Sequence, residues 1–309
     1  MVALPAIYCY LLNPLLTQWP EYRRGHYCGV LEPEGIMLSV LMKIAALLVA
    51  AAAWAADPVT FIQMSDPQFG MYTENRGFAH ETANFEFAIA AANRLKPAFV
   101  VVCGDLINQS GDAAQAAEYR RIAARLDPAI RLYNVAGNHD VGNQPTAASL
   151  AAYRERFGPD YYTFRAGGVA GFVLDSSLIQ SPQHVPEEAA KQEAWLKAEF
   201  AKARREGARR LIVFQHIPWF LADPAEPDQY FNIPRETRQR YLELFQYYAV
   251  SHVFAGHYHR NALGRAGELE MVTTGPVGKP LGGARSGIRI VTVGDTGVEH
   301  RYYDFGDLP

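Results

Sequence analysis

VTFIQMSDPQFG, residues 59–70, joins a run of mostly apolar, β-favouring residues to a polar turn that carries Asp66 and Gln68. A short apolar run without strict alternation reads as a strand covered on both faces. An Asp leaving such a strand, with a second side chain two residues later on the same face, is a common way for a metal site to begin. Here that second residue is Gln68, a weaker ligand than a His would be.

The same layout recurs along the chain. AFVVVC (98–103) is followed by Gly104-Asp105, and IRLYNV (130–135) by Gly137-Asn138-His139-Asp140. LIVFQ (211–215) is followed by His216, and HVFAG (252–256) by His257-Tyr258-His259. Helical patterns separate the runs, over about 79–95, 113–126, 146–157, 187–206 and 234–248, so the N-terminal part is α/β. YYTFRAGGVAGFVLD (161–175) reads as a hairpin about Gly167-Gly168. ELEMVTT, IRIVTV and VEHRYY read as successive strands after Glu268, with a Gly- and Pro-rich loop over 275–287. No internal repeat or composition break follows Asp57, which points to one domain over residues 57–309.

The carboxyl ends of strands in a parallel or mixed sheet converge on one edge, where ligand sites form. Five strand ends would therefore bring their polar groups together. Carboxylates and imidazoles without thiolates suit divalent Zn, Mn or Fe, and a shared carboxylate can bridge two ions ~3.5–4 Å apart. Such a pair activates a bridging water and neutralises phosphoryl oxygens, so the implied chemistry is phosphate-ester hydrolysis by attack of a metal-bridging hydroxide.

Taken in order, Asp66-x-Gln68, Gly104-Asp105, Gly137-Asn138-His139-Asp140, His216 and Gly256-His257-x-His259 resemble the blocks of the calcineurin-like metallophosphoesterase superfamily: D-x-H, G-D, G-N-H-[DE], H and G-H-x-H. The resemblance spans about 59–261. It implies a four-layer αββα sandwich of two mixed β-sheets flanked by helices. It also implies that Asp66, Gln68 and His259 bind a first metal, that Asp105 bridges, and that Asn138, His216 and His257 bind a second. His139 would stabilise the transition state and protonate the leaving oxygen, with Asp140 holding its other ring nitrogen. SDPQFG, QHIPWFL, YFNIP and GHYHRN narrow the resemblance to a branch with Gln in the D-x-H position, described as serine/threonine protein phosphatases.

Each residue also has an ordinary reading. A single His after a strand is usually a surface or satisfied core residue, Asn138 alone fits a turn, and Asp105 alone fits a helix cap. Only the ordered set is specific. His80, His184, His252 and His300 lack partners in the pattern and read as surface or packing residues. Trp219, Phe220 and Tyr230 read either as an aromatic wall beside the metals or as core and surface cover. Arg260, Asn75 and Arg76 either meet substrate phosphate or are solvated loop residues.

Net charge is −3 and the sequence pI about 6.3, which gives no basic surface for nucleic acid as a stable partner. Residues 37–56 have the layout of a secretory signal peptide: a start with one cation at Lys43, an apolar run over Ile44–Ala53, and a small-x-small site at Ala53-Trp54-Ala55. The run falls short of the ~20 helical residues a bilayer needs, so no stable membrane span is expected after cleavage. Residues 1–36 are expected to lie upstream of the true start, at Met37 or Met42, and the mature protein to be periplasmic or secreted. Cys103 is then the only mature cysteine, in a buried run, and forms no intrachain disulfide.

The leading function is hydrolysis of phosphate monoesters, in a phosphoprotein or a small ester. Its competitors are phosphodiester hydrolysis, as of a cyclic nucleotide, and metal-dependent phosphate binding without turnover. The sequence leaves the metal, the particular ester and the oligomeric state open.

Overall fold

Strand β1 (Val59–Met64) shows how a run without alternation builds two layers. Successive side chains point to opposite faces. Ile62 and Met64 join one core cluster with Phe85, Ala88 and Ile89 of helix α1 (Ala79–Leu95). Phe61 turns the other way, into a cluster with Phe99, Phe214 and Phe254. Both faces are apolar because both are covered. The computed structural model describes residues 58–166 and 168–309; the leader and signal-peptide expectations fall outside them.

The first sheet has the order β11-β10-β1-β2-β3, with β2 (Phe99–Cys103), β3 (Arg131–Val135), β10 (Gly287–Val293) and β11 (Val298–Asp304). β1, β2 and β3 are parallel, whereas β10 is antiparallel to both β1 and β11. The second sheet has the order β4-β5-β6-β7-β9-β8. It comprises β4 (Tyr162–Ala166), β5 (Val169–Val173), β6 (Arg210–Phe214), β7 (His252–Ala255), β8 (Ala262–Ala266) and β9 (Leu269–Thr273). β5, β6, β7 and β9 are parallel, and the edge strands β4 and β8 are antiparallel to their neighbours.

Helices cover the outer faces. α1, α2 (Ala113–Ala123) and α4 (Ala147–Phe157) bury Phe85, Tyr119, Leu150 and Tyr153 against the first sheet. α6 (Pro186–Arg205) and α7 (Arg235–Tyr247) bury Leu196, Phe200, Tyr241 and Phe245 against the second. Between the sheets lies an aromatic layer in which Phe61 stacks on Phe99 at 4.6 Å and Phe164 on Tyr133 at 3.8 Å. This is the expected sandwich of two mixed sheets flanked by helices.

Local signals place the helix ends. Asp112 caps α2 by accepting from the backbone N–H of Ala114 and Gln115, and Lys96 ends α1 in a left-handed conformation just before Pro97. β8 and the one-turn helices α3 (Asn138–Val141) and α5 (Ser176–Gln180) were not expected from the pattern. β8 is an edge strand with small and exposed residues, and single turns are too short to show a period. No helix among the described residues is long and apolar enough to cross a membrane.

Candidate metal centre

The site begins in the backbone. Asp66 (φ 49°), Gln68 (φ 41°), Asp105 (φ 50°), His257 (φ 67°) and His259 (φ 54°) all adopt the left-handed conformation. Nine non-glycine residues do so among the described residues, so five of the seven expected ligands account for more than half of them. Each costs about 1–2 kcal/mol relative to ordinary backbone, and such strain collects where geometry serves a site. Hydrogen bonds between the strand ends hold it: Asp66 N donates to the Gly104 carbonyl at 3.1 Å, Gln68 N to that of Asp105 at 2.9 Å, and Gly256 N to that of His216 at 3.0 Å. Gly104 is required twice over, because its φ is +82° and a Cβ there would come 2.5 Å from His216 Nδ1.

Two groups of buried ligand atoms result, Asp66 with Asp105 and His259, and Asp105 with His216 and His257; within each the atoms lie within 4.8 Å of one another. Asp105 is common to both. Every imidazole is oriented by a backbone carbonyl: His216 Nδ1 by Cys103 O at 2.8 Å, His257 Nε2 by Tyr230 O at 3.0 Å and His259 Nδ1 by Lys279 O at 2.6 Å. A ring nitrogen that donates to a carbonyl leaves the other as a lone-pair donor, which is how metal-binding imidazoles are fixed. His216 Nε2 lies 3.2 Å from Asp105 Oδ2 and 3.0 Å from Asn138 Oδ1, and His259 Nε2 lies 3.4 Å from Asp66 Oδ1.

Gln68 is buried, and its Nε2 donates to Asn108 Oδ1 at 3.0 Å. Its Oε1 is buried with no hydrogen-bond partner among the described residues. A buried acceptor left without a partner two residues after Asp66 is chemically suited to a cation, so together with the two carboxylate–imidazole groups these residues fit a pair of divalent metals.

The electrostatics agree. Burial opposes ionisation of Asp105, but His216, His139 and His257 outweigh it and hold the carboxyl well below the usual range. Burial disfavours charge on His216, yet Asp105 reverses this and pushes it up to about 9. His257 is held down to about 4 by burial and then by His216. Asp105 and Asp66 thus favour positive charge at His216, the kind of charge a cation would bring.

One expected contact is corrected. His139 Nδ1 sits 2.7 Å from the Asn108 carbonyl oxygen, so that carbonyl, and not Asp140, orients the ring. Asp140 instead accepts from the backbone N–H groups of Gly137 (2.8 Å), Leu106 (3.2 Å) and Ile107 (3.1 Å). The reason is local. Asp140 is the third residue of α3, and its side chain folds back to cap that turn. His139 N donates to Asp105 Oδ1 at 2.9 Å, so the turn also braces the shared carboxylate.

The residues around the centre divide. Trp219 and Phe220 are fully buried in the core, whereas Tyr230 is 57% exposed, with its hydroxyl 3.4 Å from Asn138 Nδ2. The Arg260 guanidinium lies over the Tyr258 ring at 4.2 Å, and its buried Nε has no partner among the described residues. Asn75 accepts from Asn108 and Gln115, and Arg76 is an exposed partner of Glu74. His80 packs on Tyr72 and His184 meets Gln144. His252 and His300 lie beside Glu270, away from the site residues. Asn108 is the addition, acting partly through its backbone, and of the three aromatics read as a wall beside the metals only Tyr230 reaches the site, from a loop 92 residues beyond Asn138.

Two buried ligand groups sharing one carboxylate, at the carboxyl edges of two packed sheets, define a dinuclear metallohydrolase. The chain belongs to the calcineurin-like phosphoesterase family, whose pattern matches residues 59–261, and it is a phosphoric ester hydrolase. It is 38% identical to the human serine/threonine-protein phosphatase CPPED1 over 267 residues, covering 81% of this chain and 85% of that protein. It is 36% identical to the Danio rerio protein of the same name over 268 residues, covering 82% and 87%. Among solved structures, the fold resembles a dimetal phosphatase from Danio rerio, with TM-score 0.54, 16% identity and coverage of 80% of this chain and 100% of that one. It also resembles the purple acid phosphatase PPD1 of yellow lupin, with TM-score 0.63, 13% identity and coverage of 82% and 52%.

Proposed function

We propose that the chain is a phosphomonoesterase in which Asp66, Gln68 and His259 hold one divalent metal, Asn138, His216 and His257 hold a second, and Asp105 is shared. The observation that carries this reading is the pair of ligand groups meeting at Asp105, with His139 anchored beside it. When bound, the metals supply an activated water and neutralise phosphoryl charge. Mn, Fe or Zn suits the donor set of carboxylate, imidazole and amide oxygens.

The chain's own residues do the rest. The Asn108 carbonyl accepts from His139 Nδ1–H, so that His139, when also protonated at Nε2, can give that second proton to the leaving oxygen and is left as the neutral Nδ1–H ring. Asn138 and Arg260 are the proposed contacts to substrate phosphate; the Arg260 Nε, without a hydrogen-bond partner among the described residues, is a donor left over for one. Identity to relatives named serine/threonine-protein phosphatases supports a phosphoserine or phosphothreonine substrate, with a small phosphate ester as the other member of the class. The signal-peptide layout of residues 37–55 supports export to a periplasmic or extracellular space.

The test is hydrolysis by metal-loaded protein of p-nitrophenyl phosphate beside bis-p-nitrophenyl phosphate. Faster monoester turnover, reduced about 10²–10⁴-fold in His139→Ala, is expected. Preference for the diester would redirect the assignment to a phosphodiesterase. Phosphate binding without turnover of either would leave a binding protein.

A further inference from the structure

The segment from Ile217 to Pro234 has almost no regular structure, yet it is heavily braced. Glu226 accepts from the backbone N–H of Leu221, Ala222 and Asp223 and from Asn232 Nδ2. Arg238, fully buried on α7, donates to the carbonyls of Pro224, Glu226 and Ile233. Ile233 N ties the far end of the loop to Pro218 O at 3.0 Å. This framework delivers one large, exposed side chain to the metal centre, Tyr230.

Tyr230 meets the site with both of its polar parts. Its carbonyl accepts from His257 Nε2, and its phenol oxygen is 3.4 Å from Asn138 Nδ2. That amide nitrogen can only donate, so the phenol oxygen is the acceptor and its own O–H points elsewhere. No acceptor takes that O–H among the described residues. The ring lies 4.9 Å from the His257 ring and 5.2 Å from that of Phe231. An exposed tyrosine on a rigid loop, with its hydroxyl unclaimed beside Asn138, has the geometry of a substrate contact.

Building on the phosphomonoesterase reading, we infer that Tyr230 is a substrate-binding residue whose hydroxyl donates a hydrogen bond to a phosphoryl oxygen of the ester. The phenylalanine variant isolates this role, because Y230F keeps the ring, the loop and the backbone carbonyl that orients His257.

The experiment compares wild type and Y230F as Mn-loaded protein. It measures metal content, thermal midpoint, steady-state kinetics on p-nitrophenyl phosphate, and calorimetric binding of inorganic phosphate. With metal content and midpoint unchanged, Y230F should bind phosphate about tenfold more weakly and lose a similar factor in kcat/KM, the usual loss for a hydrogen bond to a charged group. Unchanged phosphate affinity and kcat/KM in Y230F would overturn the inference. So would a loss that follows missing metal, since the hydroxyl would then be structural. If wild type binds phosphate but hydrolyses no ester, the phosphomonoesterase reading fails, and the phosphate affinities alone still decide whether Tyr230 makes the contact.

Discussion

The carbonyl oxygen of Asn108 lies 2.7 Å from His139 Nδ1, while the neighbouring Asp140 carboxylate is turned onto the amides of Gly137, Leu106 and Ile107. Two adjacent residues therefore have separate partners: His139, the proposed proton donor, is held by Asn108, and Asp140 holds the loop that carries Asp105. Asp140→Asn should cost about 1–3 kcal/mol in urea unfolding, because its NH₂ group cannot accept from the amides it would face. Metal-saturated Asp140→Asn should keep most of its kcat. A large loss of kcat with full metal content and unchanged unfolding would show that Asp140 acts on His139 after all.

Gln68 is anchored through its nitrogen and leaves Oε1 unpartnered. A neutral amide oxygen is a weaker donor than an imidazole, so the metal position beside Asp66 and His259 should be the looser of the two. Gln68→His should tighten that position by about tenfold, the scale of a ligand-shell change. Calorimetric titration of stripped protein with Mn²⁺ checks this. Two equally tight positions in wild type, or no tightening in the variant, would count against Gln68 as a ligand.

β1, β2, β6 and β7 could be read from sequence because they are largely buried on both faces and mostly apolar, and the more exposed β3 and β11 because Val and Tyr favour strands. β8 escaped because its burial alternates and its residues, ALGRA, have little β preference. The ligands were legible because side chains of fixed chemistry followed each strand at short range. The orienting groups were not: the carbonyls of Cys103, Asn108, Tyr230 and Lys279 belong to the backbone and carry no residue signature. That there are two sheets came from family resemblance, and which strand joins which sheet only from the structure, because periodicity shows that a strand is covered but not by which layer.

A second buried cluster, apart from the metal centre, sets a pH dependence of stability. His300 Nε2 is 2.7 Å from Glu270 Oε1 and its Nδ1 is 2.9 Å from Arg289 Nη1, so a neutral ring accepts from Arg289 and donates to Glu270. Burial lowers the pKa of His300 and holds that of nearby His252 down to about 4. A depressed imidazole binds fewer protons folded than unfolded, so stability is present above about pH 6.5 and is lost as pH falls towards 4. For His252 the full shift corresponds to about 3 kcal/mol. Thermal midpoints measured from pH 8 to pH 4.5 should fall below pH 6.5, and less steeply in His252→Gln. A flat wild-type profile would contradict this.

Arg238 offers a test of the loop that carries Tyr230. Arg238→Met removes donors from three carbonyl groups, the buried one of Ile233 and the partly buried ones of Pro224 and Glu226. It should destabilise the protein by about 2–4 kcal/mol by orphaning those acceptors. Proteolysis within 217–234 should also become faster at fixed temperature. Protection equal to wild type would mean that Glu226 and Asn232 suffice to hold the loop.

The central claim is that one carboxylate, Asp105, joins two metal-binding groups into a hydrolytic site. Metal content and p-nitrophenyl phosphate turnover measured together on wild type and Asp105→Asn test it most directly. Two ions per chain with turnover in wild type, and loss of both metal and turnover in Asp105→Asn, are predicted. An Asp105→Asn protein that retains two ions and wild-type turnover would contradict the account.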